Sequence, residues 1–243
     1  HYLETQLRKL KVQVVFNTAV NSEVIRESGA DVVVLATGSR PRLPENSARK
    51  YEFPNKELGD LSASLGRQVA PNIPGIDGEN IYSADEVMRG DSTIGKRVVV
   101  IEENGHWESC GTAEYLADQG HEVYLVTSRS MVGGDLEGAN QHLFVERAVQ
   151  KSIKIFTNTT VLSISTAGVE LKSSLDPSNS WVVPCDSVVP VIGRNSEENL
   201  YIELADLDGV EAPEYELIRV GDAVAPRTLE LIIYEATLVG SRI

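Results

Sequence analysis

The sequence predicts an α/β protein in which buried parallel strands alternate with helices, arranged as one domain interrupted by another. Three observations carry this. Short continuous apolar runs, DVVVLA at 31–36, RVVVI at 97–101 and SVVPVI at 187–192, suit strands covered on both faces, as parallel sheets are. Residues 97–126 read strand, helix, strand, a βαβ unit whose crossover must be right-handed. Residues 42–77, with Pro44, Pro54, Pro71 and Pro74, read as a long irregular connection, a length that is often functional or domain-crossing.

Taken in order, His1–Leu10 reads as a short helix with Leu3, Leu7 and Leu10 on one stripe. A strand is expected at Val12–Phe16 and another at Asp31–Ala36. After the Arg97–Ile101 strand, Ser109–Gln119 is a helix that Gly120 ends, and Glu122–Val126 a strand. Asn140–Lys151 reads as a helix, and Ile153–Phe156 and Thr160–Ser165 as strands. Gly168–Lys172 and Trp181–Val183 form a small antiparallel meander around a Ser/Asp/Pro/Asn turn. Buried strands at Ser187–Ile192 and Leu217–Val220 close on Gly193-Arg194 and Gly221-Asp222, and Thr228–Arg242 is a terminal helix. The outer domain is expected at 1–95 and 188–243, the inner at 96–187.

Composition narrows the functional classes. With 42% hydrophobic residues the chain can form a packed core. A net charge of -14 disfavours nucleic acid and anionic membrane, which need a basic surface. Cys110 and Cys185 are far apart and form no C-x-x-C pair, and His1, His106, His121 and His142 lack metal-ligand spacing. No apolar stretch approaches the roughly 20 residues of a membrane span, and no secretory signal opens the sequence. A cytoplasmic protein is the expectation; homo-oligomerisation is left open. The first residue is His1, so the N-terminus reads as cut or processed.

Two motifs stand at strand ends. Ala36-Thr37-Gly38-Ser39-Arg40-Pro41 follows DVVVL; glycine there permits a tight turn and close backbone approach to a ligand. In open α/β sheets ligands bind beyond the carboxyl ends of strands. The plain alternative is a strand-to-loop turn. Gly221-Asp222-Ala223-Val224-Ala225-Pro226-Arg227 offers a carboxylate for sugar or ribityl hydroxyls and a helix start for phosphate. Its alternative is that Asp222 only caps the last helix.

Together these motifs, in this order, resemble the two-dinucleotide-binding-domain flavoproteins. The stretches YLETQLRKLKVQVVFNTAV (2–20), ADVVVLATGSRPR (30–42), GKRVVVIEENGHWESCGTAEYLADQGHEVYLV (95–126) and VGDAVAPRTLELIIYEATLVGSRI (220–243) resemble, more narrowly, the C-terminal portion of the trimethylamine dehydrogenase and 2,4-dienoyl-CoA reductase (NADH:flavin oxidoreductase) family. The resemblance implies Rossmann-like three-layer domains of the FAD/NAD(P)-binding type, one inserted within the other. It implies FAD or ADP in the outer domain, at Ala36, Thr37, Gly38, Gly221, Asp222 and Arg227. It also implies a parent with an N-terminal barrel holding FMN and a 4Fe-4S cluster. The barrel, the cluster cysteines and the first βαβ of the outer domain are expected to lie outside this sequence.

The inner domain departs from a working NAD(P) site. After RVVVI a dinucleotide site wants G-x-G-x-x-G, but the three positions hold Glu102, Asn104 and Trp107. Bulky side chains block close approach, and Glu102 and Glu103 repel phosphate. The second strand runs into Val126-Thr127-Ser128-Arg129, without the ribose-binding acid. Arg129 suits a 2′-phosphate; the simpler reading is a solvated loop arginine. The departure resembles the amine dehydrogenase branch, which the resemblance implies holds ADP and passes electrons to an electron-transfer flavoprotein. The alternatives are an NADPH-dependent reductase domain of the dienoyl-CoA reductase type, and a non-catalytic packing or docking module.

Other residues are read as structural. His106 and Trp107 are expected to plug the vacant site and Cys110 to be a small buried hydrophobe. Asp85-Glu86 and Glu197-Glu198 are expected to be solvated. No proton-transfer or nucleophilic residue is nominated.

Overall fold

The computed structural model describes residues 2–43, 73–205 and 215–243. Most of the long connection between 42 and 77 lies outside them. The chain forms two compact units: an outer one of His1–Gly38 with Ser196–Ile243, and an inner one of Ser39–Asn195.

The inner unit is built on a parallel sheet. Its strands are β3 (Arg97–Glu102), β4 (Glu122–Thr127), β5 (Lys154–Phe156) and β9 (Ser187–Val191), in the order β5-β4-β3-β9. Ile81 adds a parallel bridge to Val188. Helix α4 (Trp107–Asp118) makes the β3-to-β4 crossover, ending at Gln119 with Gly120 left-handed just beyond. α3 (Ala84–Arg89), α4 and α5 (Gly138–Gln150) supply one covering layer. The meander β6 (Thr159–Ser165), β7 (Gly168–Ser173), β8 (Ser180–Val183) supplies the other.

Strand periodicity explains why the RVVVI run must be apolar throughout. Val98 and Val100 face Cys110, Ala113, Leu116 and Phe144 under the helices. Val99 and Ile101 face Val161, Ile164, Val169 and Leu171 of the meander. Successive side chains of a strand take opposite faces, and here each face has its own core. At roughly 1.5–3 kcal/mol for each fully buried aliphatic side chain, these two cores dominate the inner unit's stability.

The outer unit is smaller. β1 (Val32–Leu35) pairs in parallel with β11 (Glu216–Arg219). Ile25 of α2 (Ser22–Glu27), Leu35 and Leu204 of α6 (Asn199–Ala205) form its buried core. Asn21 caps α2 by accepting the Val24 N–H at 3.0 Å. α1 (Tyr2–Lys9) and α7 (Leu229–Gly240) contribute no buried residue, and Leu229, Leu231, Ile233 and Tyr234 are exposed. Among the described residues the outer sheet has two strands, so both of its edges are open.

Several expectations change. Val12–Phe16 is irregular and exposed, not a strand; β-branched composition gives no strand without a partner to pair with. The sequence assigns residues from 188 onward to the outer domain, but the β9 backbone pairs with β3, so β9 is part of the inner sheet. The chain passes between the units through β2 (Ser39–Pro41) and β10 (Arg194–Ser196), which pair with each other.

Candidate functional site

The parallel register of the outer pair sets Leu35 opposite Arg219, and Val220 donates its N–H to the Leu35 carbonyl at 3.0 Å. Both strands therefore finish at one level. Ala36, Thr37 and Gly38 leave from one carboxyl end, and Gly221 and Asp222 from its neighbour. Ala36 and Thr37 are exposed. Gly38 has φ +79° and open space where a Cβ would stand, so a ligand can approach its backbone. The Thr37 hydroxyl donates to the Glu197 carbonyl at 2.5 Å, and the Glu197 N–H donates to the Gly38 carbonyl at 2.9 Å. Thr37 thus shapes the turn, and its oxygen is left as an acceptor.

Gly221 begins a 3-10 turn (Gly221–Ala223) with φ +67°. Its conformation favours glycine, and a Cβ there would stand 3.0 Å from the Ile232 side chain of α7, a tight contact. Asp222 does not cap α7, whose N-cap is Thr228. It accepts the Arg227 N–H at 3.2 Å and so folds the 222–227 loop back on itself. The Arg227 guanidinium reaches the Gly221 carbonyl at 3.4 Å and the Glu235 carboxylate. Glu235, on α7, escaped the sequence reading because nothing in its local pattern sets it apart from a solvated helix residue. The Gly221 N–H and then Arg227 hold its carboxyl below the usual range. A carboxylate, a guanidinium and two left-handed glycines stand beside adjoining strand ends, so the place offers an acceptor, a cation and bare backbone.

The end of β3 in the inner unit is filled by the protein itself. Glu102 is fully buried as the last residue of β3. One oxygen accepts the Gly133 N–H at 3.4 Å; the other has no hydrogen-bond partner among the described residues. Asn104 accepts the His106 N–H at 3.2 Å and donates to Glu108 at 3.0 Å. Asn104 thus ties the loop before α4 to Glu108, while no side chain caps the first turn of the helix. Arg129, the candidate for a 2′-phosphate, is paired with Asp135 at 2.7 Å. Trp107 is 45% exposed and His106 is exposed, so Glu102 and Asn104 fill this end where those two were expected. Burial pushes Ser128-bonded Glu103 upward in pKa. Cys110 is fully buried and its thiol is pushed up to about 12, first by desolvation and then by Glu102.

Asp85 is a second correction. The expectation was a solvated acid, but Ser83 and Glu86 form a capping box on α3 that presents Asp85 to Arg194. Arg194 donates to Asp85 at 2.9 and 3.0 Å, to Glu108 at 2.7 Å, and to the Ser39 hydroxyl and carbonyl at 2.9 and 3.0 Å. The S-x-x-E spacing at 83–86 was a readable helix start; the distant Arg194 partner was not. In the other acidic pair, Glu198 is ion-paired with Arg219 at 2.7 Å. No group of three or more His, Cys, Asp or Glu able to hold a metal occurs among the described residues, and no described helix is long and apolar enough to cross a membrane.

This is the architecture of a nucleotide-binding α/β protein of the three-layer kind. The chain belongs to the pyridine nucleotide-disulphide oxidoreductase family, whose model matches residues 2–228. Cinnamate reductase of Clostridium sporogenes is 29% identical over 245 residues, covering 100% of this chain and 31% of that protein. Dimethylamine dehydrogenase of Hyphomicrobium sp. is 27% identical over 277 residues, covering 100% of this chain and 33% of that protein. Among solved structures, 2-naphthoyl-CoA reductase in complex with 2-naphthoyl-CoA superposes with a TM-score of 0.80 at 25% identity, over 100% of this chain and 31% of that one. Histamine dehydrogenase from Rhizobium sp. 4-9 shares the fold, with a TM-score of 0.77 at 21% identity, over 99% of this chain and 35% of that one. The chain spans about a third of the length of the curated relatives it matches. It corresponds to the C-terminal, nucleotide-binding portion of flavin oxidoreductases of the amine dehydrogenase and enoate reductase kind.

Proposed function

We propose that the outer unit holds the adenosine diphosphate group of a nucleotide, as ADP or as part of FAD, for an oxidoreductase of the amine dehydrogenase type. The observation that carries this is the β1–β11 pairing, which sets residues 36–38 and the 221–227 loop at adjoining carboxyl ends. Asp222 takes the ribose or ribityl hydroxyls, Arg227 the phosphate, and Gly38 and Gly221 admit the backbone. On this reading substrate chemistry belongs to an FMN barrel elsewhere in a cytoplasmic parent protein, with an electron-transfer flavoprotein as acceptor.

The self-filled end of β3 favours this over an NADPH-dependent reductase domain, since that domain would have to displace Glu102 and Asn104 and release Arg129 from Asp135. A thermal-shift titration with ADP, FAD and NADPH in parallel tests it, because a ligand that binds only the folded state stabilises by RT ln(1 + [L]/Kd), about 2.7 kcal/mol at a hundredfold excess over Kd. A shift with ADP or FAD and none with NADPH is expected. A shift with NADPH alone overturns the assignment, and no shift with any of the three leaves a packing or docking module. Asp222→Ala is expected to weaken ADP about tenfold, the scale of one lost hydrogen bond to a charged group, measured by calorimetry against the parent chain.

A further inference from the structure

Arg227 is held at one corner only. Its Nη2 serves both the Glu235 carboxylate and the Gly221 carbonyl, while Nε and Nη1 meet no partner among the described residues. The same Glu235 carboxylate accepts the Gly221 N–H at 2.5 Å. Glu235 and Ile232 stand three apart on α7 and so share a helix face. Ile232 lies against the Gly221 turn, and Glu235 bonds to it. One carboxylate therefore joins the left-handed glycine, the guanidinium and the helix at the end of β11.

We propose that Glu235 is the positioning residue of the outer unit's nucleotide site, fixing Arg227 by Nη2 so that Nε and Nη1 are presented to a phosphate of the adenosine diphosphate group. This rests on the nucleotide reading given above. A free arginine carries considerable rotamer entropy, and pre-organising its planar fork reduces what is lost when a phosphate oxygen binds. An ordinary exposed ion pair would contribute little. The difference here is that the pair also fixes the backbone turn from which Asp222 projects. Glu235 touches the ligand in no part of this scheme; it acts through Arg227 and Gly221.

The test compares ADP with adenosine, which lacks the phosphates, by calorimetry on the parent chain and on Glu235→Ala, Glu235→Gln and Arg227→Ala, with the unliganded melting temperature recorded for each. The parent is expected to prefer ADP. Glu235→Ala should lose about tenfold in ADP affinity with adenosine unchanged. Glu235→Gln keeps an acceptor for Gly221 and Arg227 and should recover part of the loss. Arg227→Ala should remove the preference for ADP.

If the parent binds neither ligand, the nucleotide reading falls and this proposal with it. If the parent binds both equally, the phosphate assignment is overturned. If Glu235→Ala keeps the full preference for ADP, the positioning role is overturned and the nucleotide reading stands. If ADP and adenosine weaken together with the melting temperature, Glu235 is only structural and the proposal fails.

Discussion

Gly168→Ala is expected to destabilise the inner unit by about 4 kcal/mol, the upper range for a single substitution. Gly168 opens β7 with φ +130°, a conformation that residues with a Cβ rarely adopt. An added Cβ would stand 2.2 Å from the Val183 carbonyl oxygen and 2.8 Å from Pro184 Cα. Both are backbone atoms that cannot rotate away. Relief requires moving β8 off β7, and this opens the layer that covers Val99 and Ile101. The check is the urea midpoint with an unchanged slope. Gly111→Ala is the control of opposite sign. Gly111 is helical, in α4, and nothing stands within 4 Å of its added Cβ. Removing glycine from a helix interior should stabilise by roughly 0.5–1 kcal/mol.

Arg194→Met is expected to lower stability by about 3 kcal/mol at neutral pH. The guanidinium satisfies Asp85, Glu108 and Ser39 together, and the side chains of Arg194 and its two carboxylate partners are no more than a quarter exposed. Methionine keeps the volume but leaves Glu108 without its cation and Asp85 with only Arg89, at 3.8 Å. Breaking a sheltered pair by removing one partner costs about 3–5 kcal/mol, and partial exposure places this site at the lower end. The hydrogen bond and charge of Arg194 hold the Asp85 carboxyl below its ordinary value. A depressed folded pKa contributes stability that is fully present above the unfolded value, near 3.8, and is lost as pH falls through the folded one. The parent chain should therefore lose part of its stability below about pH 4, and Arg194→Met should show a flatter acid limb in denaturation series.

The inner unit was the most legible part of the sequence. RVVVI, EVYLV and SVVPVI are apolar on both faces, so they had to be strands of a parallel sheet covered on both sides. The helix between the first two stops at the C-cap Gln119, just before the left-handed Gly120. Val12–Phe16 shows the limit of that reasoning: five residues of strand composition remain irregular. Pairing is a non-local property, and composition does not record whether a partner exists. The domain boundary was misplaced around β9 for the same reason, because only the β3 register reveals which sheet it joins.

The two glycine motifs were legible because glycine at a strand end has few structural uses. Their adjacency needed the β1–β11 register, across about 180 residues of chain. Glu235, Arg194 and Asp85 were not legible, since charged residues far apart in sequence carry no local mark of their partners. The emptied glycine fingerprint was readable as a departure, but the burial of Glu102 was not. An acid at a strand end is normally solvated, and only the surrounding core shows otherwise.

The paired strands β2 and β10 have a genetic meaning as well as a mechanical one. Because Ser39 and Arg194 are hydrogen-bonded to one another, everything between them leaves and returns at a single place. A module whose entrance and exit coincide can be spliced into a host gene, or out of it, with a short bridging peptide in its stead. The inner unit has in this sense the connectivity of a detachable cassette.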